Sequence, residues 1–230
     1  VYTVKMLIAG KKTIALILGI IICGSIAGIC AGAFAKTVAS PDMPTIVIDA
    51  GHGGIDAGVY GVNTDVKESD INLAIARELR GWFVNAGFNC VMTRNNQSGL
   101  YGDTSNGFKK RDMQERKRII EENSADMVIS IHQNTCPLPS RRGGYVFFDE
   151  NSQEGRELAL SVQEELNALW EMTNEALAGD YFMLKCTEAP SILVECGFLS
   201  NGEDEKLLTD ADYRNKIAYA IFKGAIMYLS

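Results

Sequence analysis

Histidine is almost missing from this chain, with only His52 and His132 among 230 residues. A dinuclear metallopeptidase wants more ligands than two histidines and a pair of acids readily provide, so a mononuclear site is the most that imidazole can support. Basic residues are also short, 22 against 29 acidic ones, for a formal charge of −7. The deficit is uneven. Residues 1–35 hold three lysines and no acid, so the rest carries 19 basic groups against 29 acidic ones. Such a negative surface argues against nucleic acid as a partner. The six cysteines show no C-x-x-C spacing, which argues against thiolate ligation of a metal. Cys90 and Cys196 sit in apolar runs where free thiols pack as small hydrophobes, so disulfides are not expected. No internal repeat and no low-complexity tract interrupts the chain.

One long uncharged run is present, Thr13 to Ala35, with Lys11 and Lys12 before it and Lys36 after it. At about 1.5 Å per residue it is long enough for a bilayer core of about 30 Å. It reads as a signal sequence or membrane anchor over residues 1–35, with an uncleaved anchor favoured over cleavage at Ala31, Ala33 or Ala35. Neither Cys23 nor Cys30 follows a small residue in the way lipidation requires, and Met6 is a candidate start. Residues 36–44 read as a linker broken by Pro41 and Pro44, and residues 45–230 as one folded domain outside the membrane.

In that domain strands and helices alternate. The expected strands are Thr45–Asp49, Phe88–Thr93, Met127–Ile131, Gly144–Phe148, Tyr181–Leu184 and Ile192–Val194. The expected helices are one capped by Ser69 and closed by Gly87, a basic one from about Asp112 to Glu122, and two long ones at 152–170 and 210–228. This alternation predicts an α/β sandwich around a largely parallel sheet, with functional groups beyond the carboxyl ends of the strands.

Both histidines stand just past such ends, His52 after TIVIDAG and His132 after MVISI. Parallel strands bring residues 80 positions apart to one sheet edge. Two acids occupy matching places: Glu68 precedes the helix capped by Ser69, and Glu195 ends the run ILVE ahead of Cys196 and Gly197. A carboxylate inside an apolar strand end is costly unless something positive or a proton relay uses it. Two histidines and one carboxylate leave a metal coordination position open, and a second carboxylate can serve as base.

Four segments resemble one family: IDAGHGG at 48–54, KESDINLAIA at 67–76, SIHQN at 130–134 and LVECGFLSN at 193–201. They are similar to the zinc-dependent N-acetylmuramoyl-L-alanine amidases called amidase 3. The resemblance covers roughly residues 45–230. It implies that His52, Glu68 and His132 are zinc ligands for one Zn2+ per chain, that Glu195 is the catalytic acid, and that the sheet has six strands with helices on both faces. It implies hydrolysis of the lactyl amide between muramic acid and L-alanine in peptidoglycan, at the outer face of the membrane or in the wall. The GDYFMLK and GFLSN segments and the single leader, without an added wall-binding repeat, look most like the sporulation branch, the germination-specific amidases acting on spore cortex. Gln133 stands where alanine is common in the family and Glu175 where arginine is common, which bears on substrate contacts. Asp49 and Asn134 are candidate orienting residues, and the amides of residues 51–54 candidate donors to the carbonyl oxygen. Another mononuclear zinc peptidase and a catalytically inactive wall-binding module are the alternatives. Any accessory protein is left unspecified.

Overall fold

The computed structural model describes residues 43–230, so the apolar run at 13–35 and nearly all of the linker at 36–44 lie outside the described residues. No helix among the described residues is long and apolar enough to cross a membrane.

Six strands form one sheet: β1 (Thr45–Ala50), β2 (Asn89–Met92), β3 (Met127–Asn134), β4 (Tyr145–Phe148), β5 (Leu177–Ala178) and β6 (Ser191–Phe198). Their order is β2-β1-β3-β6-β4-β5. The pairs β1–β2, β1–β3 and β3–β6 are parallel, while β4 runs antiparallel to β6 and parallel to β5. The expected mostly parallel α/β sheet is therefore present.

Alternation along β1 and β3 explains their apolar runs IVI and MVI. Ile46, Ile48, Met127, Ile129 and Ile131 enter the larger core cluster, while Val47 and Val128 enter a smaller one with Ile120 and Met183. A central parallel strand is buried on both faces, so it is apolar except where polar residues such as Asp49 and Ser130 pair with one another. The larger cluster is completed by α1 (Glu68–Asn85), α3 (Gln153–Trp170) and α6 (Ala211–Tyr228). The smaller is completed by α2 (Phe108–Glu122) and the single turn α4 (Phe182–Lys185). Between β6 and α6 lies α5 (Gly202–Thr209). Where α6 crosses α3, a Cβ on Gly224 would lie 2.5 Å from Val162 Cα, so only glycine allows this approach. Ser161 Oγ donates to Gly224 O across the same contact at 2.8 Å.

Boundaries were legible where a side chain caps the helix. Ser152 Oγ accepts from Gly155 N, and the Asp210 carboxylate accepts from Tyr213 N, each worth about 1 kcal/mol. The expected cap at Ser69 is wrong. The helix starts at Glu68, its N-cap Lys67 makes no side-chain bond, and the free amides of Glu68 and Ser69 donate instead to Val59 O and Ala57 O. A preceding loop thus does what a cap would do, and Ser69 is left buried in the first turn. The basic helix begins at Phe108, earlier than expected, after Gly107 in the left-handed region. The strand expected at Tyr181–Leu184 is instead α4, whose turn places the consecutive residues Met183 and Leu184 both in the interior. Consecutive burial is incompatible with a one-faced strand. The strand β5 and the helix α5 were not foreseen.

Candidate metal centre

The carboxyl ends of β1, β3 and β6 lie side by side, and each delivers one group. His52 follows two residues after β1. His132 lies within β3, not beyond it, and is the register partner of Glu195 in β6. Glu195 likewise does not end its strand, which runs on to Phe198. Past this pair the register shifts, so that Cys196 and Gly197 together face Gln133. A bulge of this kind bends the strand and re-aims the side chains beside it.

Glu68 comes from the first turn of α1 and is almost fully buried. Its Oε1 lies 3.2 Å from His52 Nε2 and 3.0 Å from His132 Nδ1. The ligand atoms of all three residues lie within 4.8 Å of one another. The two imidazoles meet edge to face with centroids 4.9 Å apart. Around Glu68, Gln133 N at 3.1 Å and Asn72 Nδ2 at 3.2 Å donate to Oε1, and Val59 N at 2.9 Å donates to Oε2. Burial opposes its ionisation, but the bonds and charge of the two imidazoles hold the carboxyl well below the usual range. Burial likewise opposes the charge on His52, yet its bonds with Asp56 and Glu68 outweigh this and raise it to about 9.

Glu195 differs from Glu68 in its partners and its ionisation. Burial pushes its carboxyl up to about 7, and its Oε2 is buried with no hydrogen-bond partner. Glu195 lines the same cavity of about 520 Å3 as His52, Glu68 and His132. Tyr101, Phe108 and Met113 on one segment and Tyr181, Phe182 and Met183 on another supply its apolar lining. An oxygen-and-nitrogen set with a second, unpartnered carboxylate in the same cavity fits a single divalent ion with an open position.

His52 has φ 61, and Gly53 and Gly54 follow with φ 136 and 62. A left-handed histidine costs on the order of 1–3 kcal/mol and persists only when its surroundings hold it. Arg116 Nη2 donates to His52 O at 2.7 Å, and Asp56 Oδ2 meets His52 Nδ1 at 3.0 Å. Three of the four expected donors of the glycine loop are engaged elsewhere. Gly51 N donates to Ile131 O, Gly53 N to Asp56 O and Gly54 N to Gln97 O, so none of these three amides faces a substrate carbonyl.

The orienting residues expected from sequence fare differently. Asp49 touches no ligand side chain; it accepts from Arg116 Nη1 at 2.5 Å, Ser130 Oγ at 2.6 Å and Thr93 Oγ1 at 2.7 Å. It acts on His52 only through Arg116. The Asn134 side chain makes a local turn bond to Thr135 N. Gln133 points inward, where its Nε2 donates to Asn72 Oδ1 at 3.0 Å, so it steadies Glu68. Glu175 is exposed and is not among the residues lining the cavity. Sequence reasoning missed Asp56, Asn72, Arg94 and Arg116. Asp56, four residues after His52, was the one local enough to find.

Residues 46–226 match the family described as N-acetylmuramoyl-L-alanine amidase, Amidase_3. The germination-specific N-acetylmuramoyl-L-alanine amidase of Bacillus subtilis (strain 168) is 32% identical over 191 residues, covering 80% of this chain and 79% of that one. Among solved structures, the CwlD amidase from Clostridioides difficile in complex with the GerS lipoprotein is 38% identical with TM-score 0.77, covering 81% of this chain and 98% of that one. The catalytic domain of CwlV, an N-acetylmuramoyl-L-alanine amidase from Bacillus (Paenibacillus) polymyxa var. colistinus, is 26% identical with TM-score 0.71 over 81% and 98%. The matched span takes in five strands whole, all of β1 but Thr45, and every cavity residue described above, and the chain belongs to the Amidase_3 family of N-acetylmuramoyl-L-alanine amidases, hydrolases of peptidoglycan.

Proposed function

We propose that His52, Glu68 and His132 ligate one zinc ion and that Glu195 is the proton carrier of the reaction. The observation that carries this reading is the convergence of two imidazole nitrogens on Glu68 Oε1, beside a buried carboxyl with no partner of its own. When bound, zinc supplies Lewis acidity that eases deprotonation of water and polarises the amide carbonyl. Glu195, poised near neutrality, takes the proton from the attacking water and returns it to the leaving L-alanine amine. Asp56 holds the His52 ring so that Nε2 faces the cavity, and the buried bonds around Glu68 fix its carboxylate. In this reading the apolar walls contact the muramyl and peptide portions flanking the scissile bond.

The germination-specific name of the Bacillus subtilis relative supports spore cortex as the wall form acted on. In this reading residues 1–35 export the chain or anchor it at the outer face of the membrane. A lipoprotein of the kind bound to the Clostridioides difficile relative is the first candidate accessory protein. The test is mass spectrometry of cortex and vegetative peptidoglycan treated with the purified protein and zinc. Stem peptides with a free L-alanine amino terminus are expected from cortex; released single amino acids would instead indicate an exopeptidase.

A glycine offers a narrower check on the ligand set. A Cβ at Gly51 would overlap the His132 imidazole, while the backbone there is not left-handed and tolerates alanine. Gly51→Ala is expected to displace that ring and weaken zinc binding by on the order of 10-fold or more. Metal titration of samples with unchanged circular dichroism measures this, and unaltered affinity would remove His132 from the ligand set.

A further inference from the structure

Arg94 lies just beyond β2 and is 3% exposed. Its hydrogen bonds all go to backbone carbonyls: Nε to Ala50 O at 2.8 Å, Nη2 to Gly51 O at 2.9 Å and Ser69 O at 2.8 Å, and Nη1 to Asn96 O at 2.9 Å. Among the described residues it has no ion pair, unlike buried Arg116, which meets Asp49 and Asp112. A buried cation whose hydrogen bonds all go to peptide carbonyls, with Asp49, Asp112 and Asp70 acting on it only through space, is expensive to keep, so its placement calls for a reason. The carbonyls it selects supply one. Ala50 and Gly51 immediately precede His52, and Ser69 immediately follows Glu68. One rigid planar group therefore ties the β1 end to the first turn of α1, two segments with no covalent connection shorter than the intervening loop. Asn72 Nδ2, which also donates to Gly51 O at 3.2 Å and to Glu68 Oε1, reinforces the same link.

We propose that Arg94 is a positioning residue that fixes the spacing of His52 and Glu68, so that the metal site is assembled before metal arrives. The proposal rests on the reading of those residues as zinc ligands. A preorganised site binds tightly because the ordering of its ligands is already in place. Lysine cannot replace the guanidinium, since one ammonium cannot span carbonyls on two segments in a fixed fork.

The test compares wild type, Arg94→Lys and Arg94→Met, with Leu166→Ala as a control that loosens the core under α3 without touching any hydrogen bond of Arg94. Zinc affinity is measured by competition with a chromophoric chelator, and the geometry by the visible spectrum of the cobalt-substituted protein. Both Arg94 variants are expected to bind zinc about 10–100-fold more weakly and to show altered cobalt bands, whereas Leu166→Ala loses thermal stability with both readouts unchanged. An Arg94→Lys protein with wild-type affinity and spectrum overturns the proposal and leaves the ligand set intact. If neither Arg94 variant folds, or if Leu166→Ala weakens zinc as much, the guanidinium serves folding in general and the proposal is equally overturned. A wild-type chain that takes up no zinc instead refutes the ligand reading.

Discussion

Glu195→Gln is expected to keep its zinc while turnover falls by about 10²–10⁴-fold, the usual contribution of a positioned general base. The substitution preserves the size and hydrogen-bonding capacity of a buried side chain, and it removes only the group that carries the proton. Alanine at His52, Glu68 or His132 is expected to behave differently, with metal content and activity falling together. The two carboxylates make the comparison sharp because their surroundings differ so much. Glu68 accepts hydrogen bonds on both oxygens, while one Glu195 oxygen is buried with none. Metal analysis and rates on the same samples decide the matter. If Glu195→Gln lost zinc while Glu68→Gln retained it and stayed inactive, the roles assigned to these two acids would be exchanged.

Arg116→Met is expected to destabilise the fold by about 3–5 kcal/mol, because it strands the buried Asp49 carboxylate without its cation. For a domain of this size that is a fall in Tm on the order of 10 °C. The pH dependence should also change sign. In the wild type, burial opposes ionisation of Asp49, but Arg116 with Ser130 and Thr93 brings it down to about 2, from an ordinary 3.8. That contribution is complete above pH 3.8 and is lost as pH falls towards 2. Without Arg116, burial dominates and the carboxyl is raised, so the variant recovers part of its deficit as pH falls from 7 towards 4. Thermal melts with chelator present, at pH 7 and pH 5, measure the difference between the two proteins. A gap that widens on acidification would show that Arg116 is not what holds Asp49 ionised.

The central strands were legible because burial on both faces leaves an unmistakable apolar run, as in TIVID and MVISI. Helices at 152–170 and 210–228 were legible because Ser152 and Asp210 cap them with their own side chains. Ser69 misled because the chain satisfied the same orphan amides with backbone from Ala57 and Val59, which no local pattern announces. Two exposed residues of β5 and the one turn of α4 are too short to carry a period. Within the site, His52, His132, Glu68 and Glu195 stood out because each sits next to an apolar run or at a helix start. Their supports did not, since Arg94 and Arg116 reach back 43 and 64 residues to the carbonyls they bind. A buried arginine among basic neighbours such as Lys109, Lys110 and Arg111 reads as surface until the fold is known.

The two imidazoles that meet edge to face are also the complete histidine content of the chain. Selective 15N labelling of histidine would therefore give a spectrum of two rings, with no surface background to subtract. Each nitrogen shift distinguishes protonated, tautomeric and metal-bound states, so metal loading, inhibitor entry and the Asp56 contact can each be followed at the atoms concerned. Diethyl pyrocarbonate acquires the same selectivity among imidazoles, and protection from it becomes an occupancy assay that needs neither substrate nor turnover.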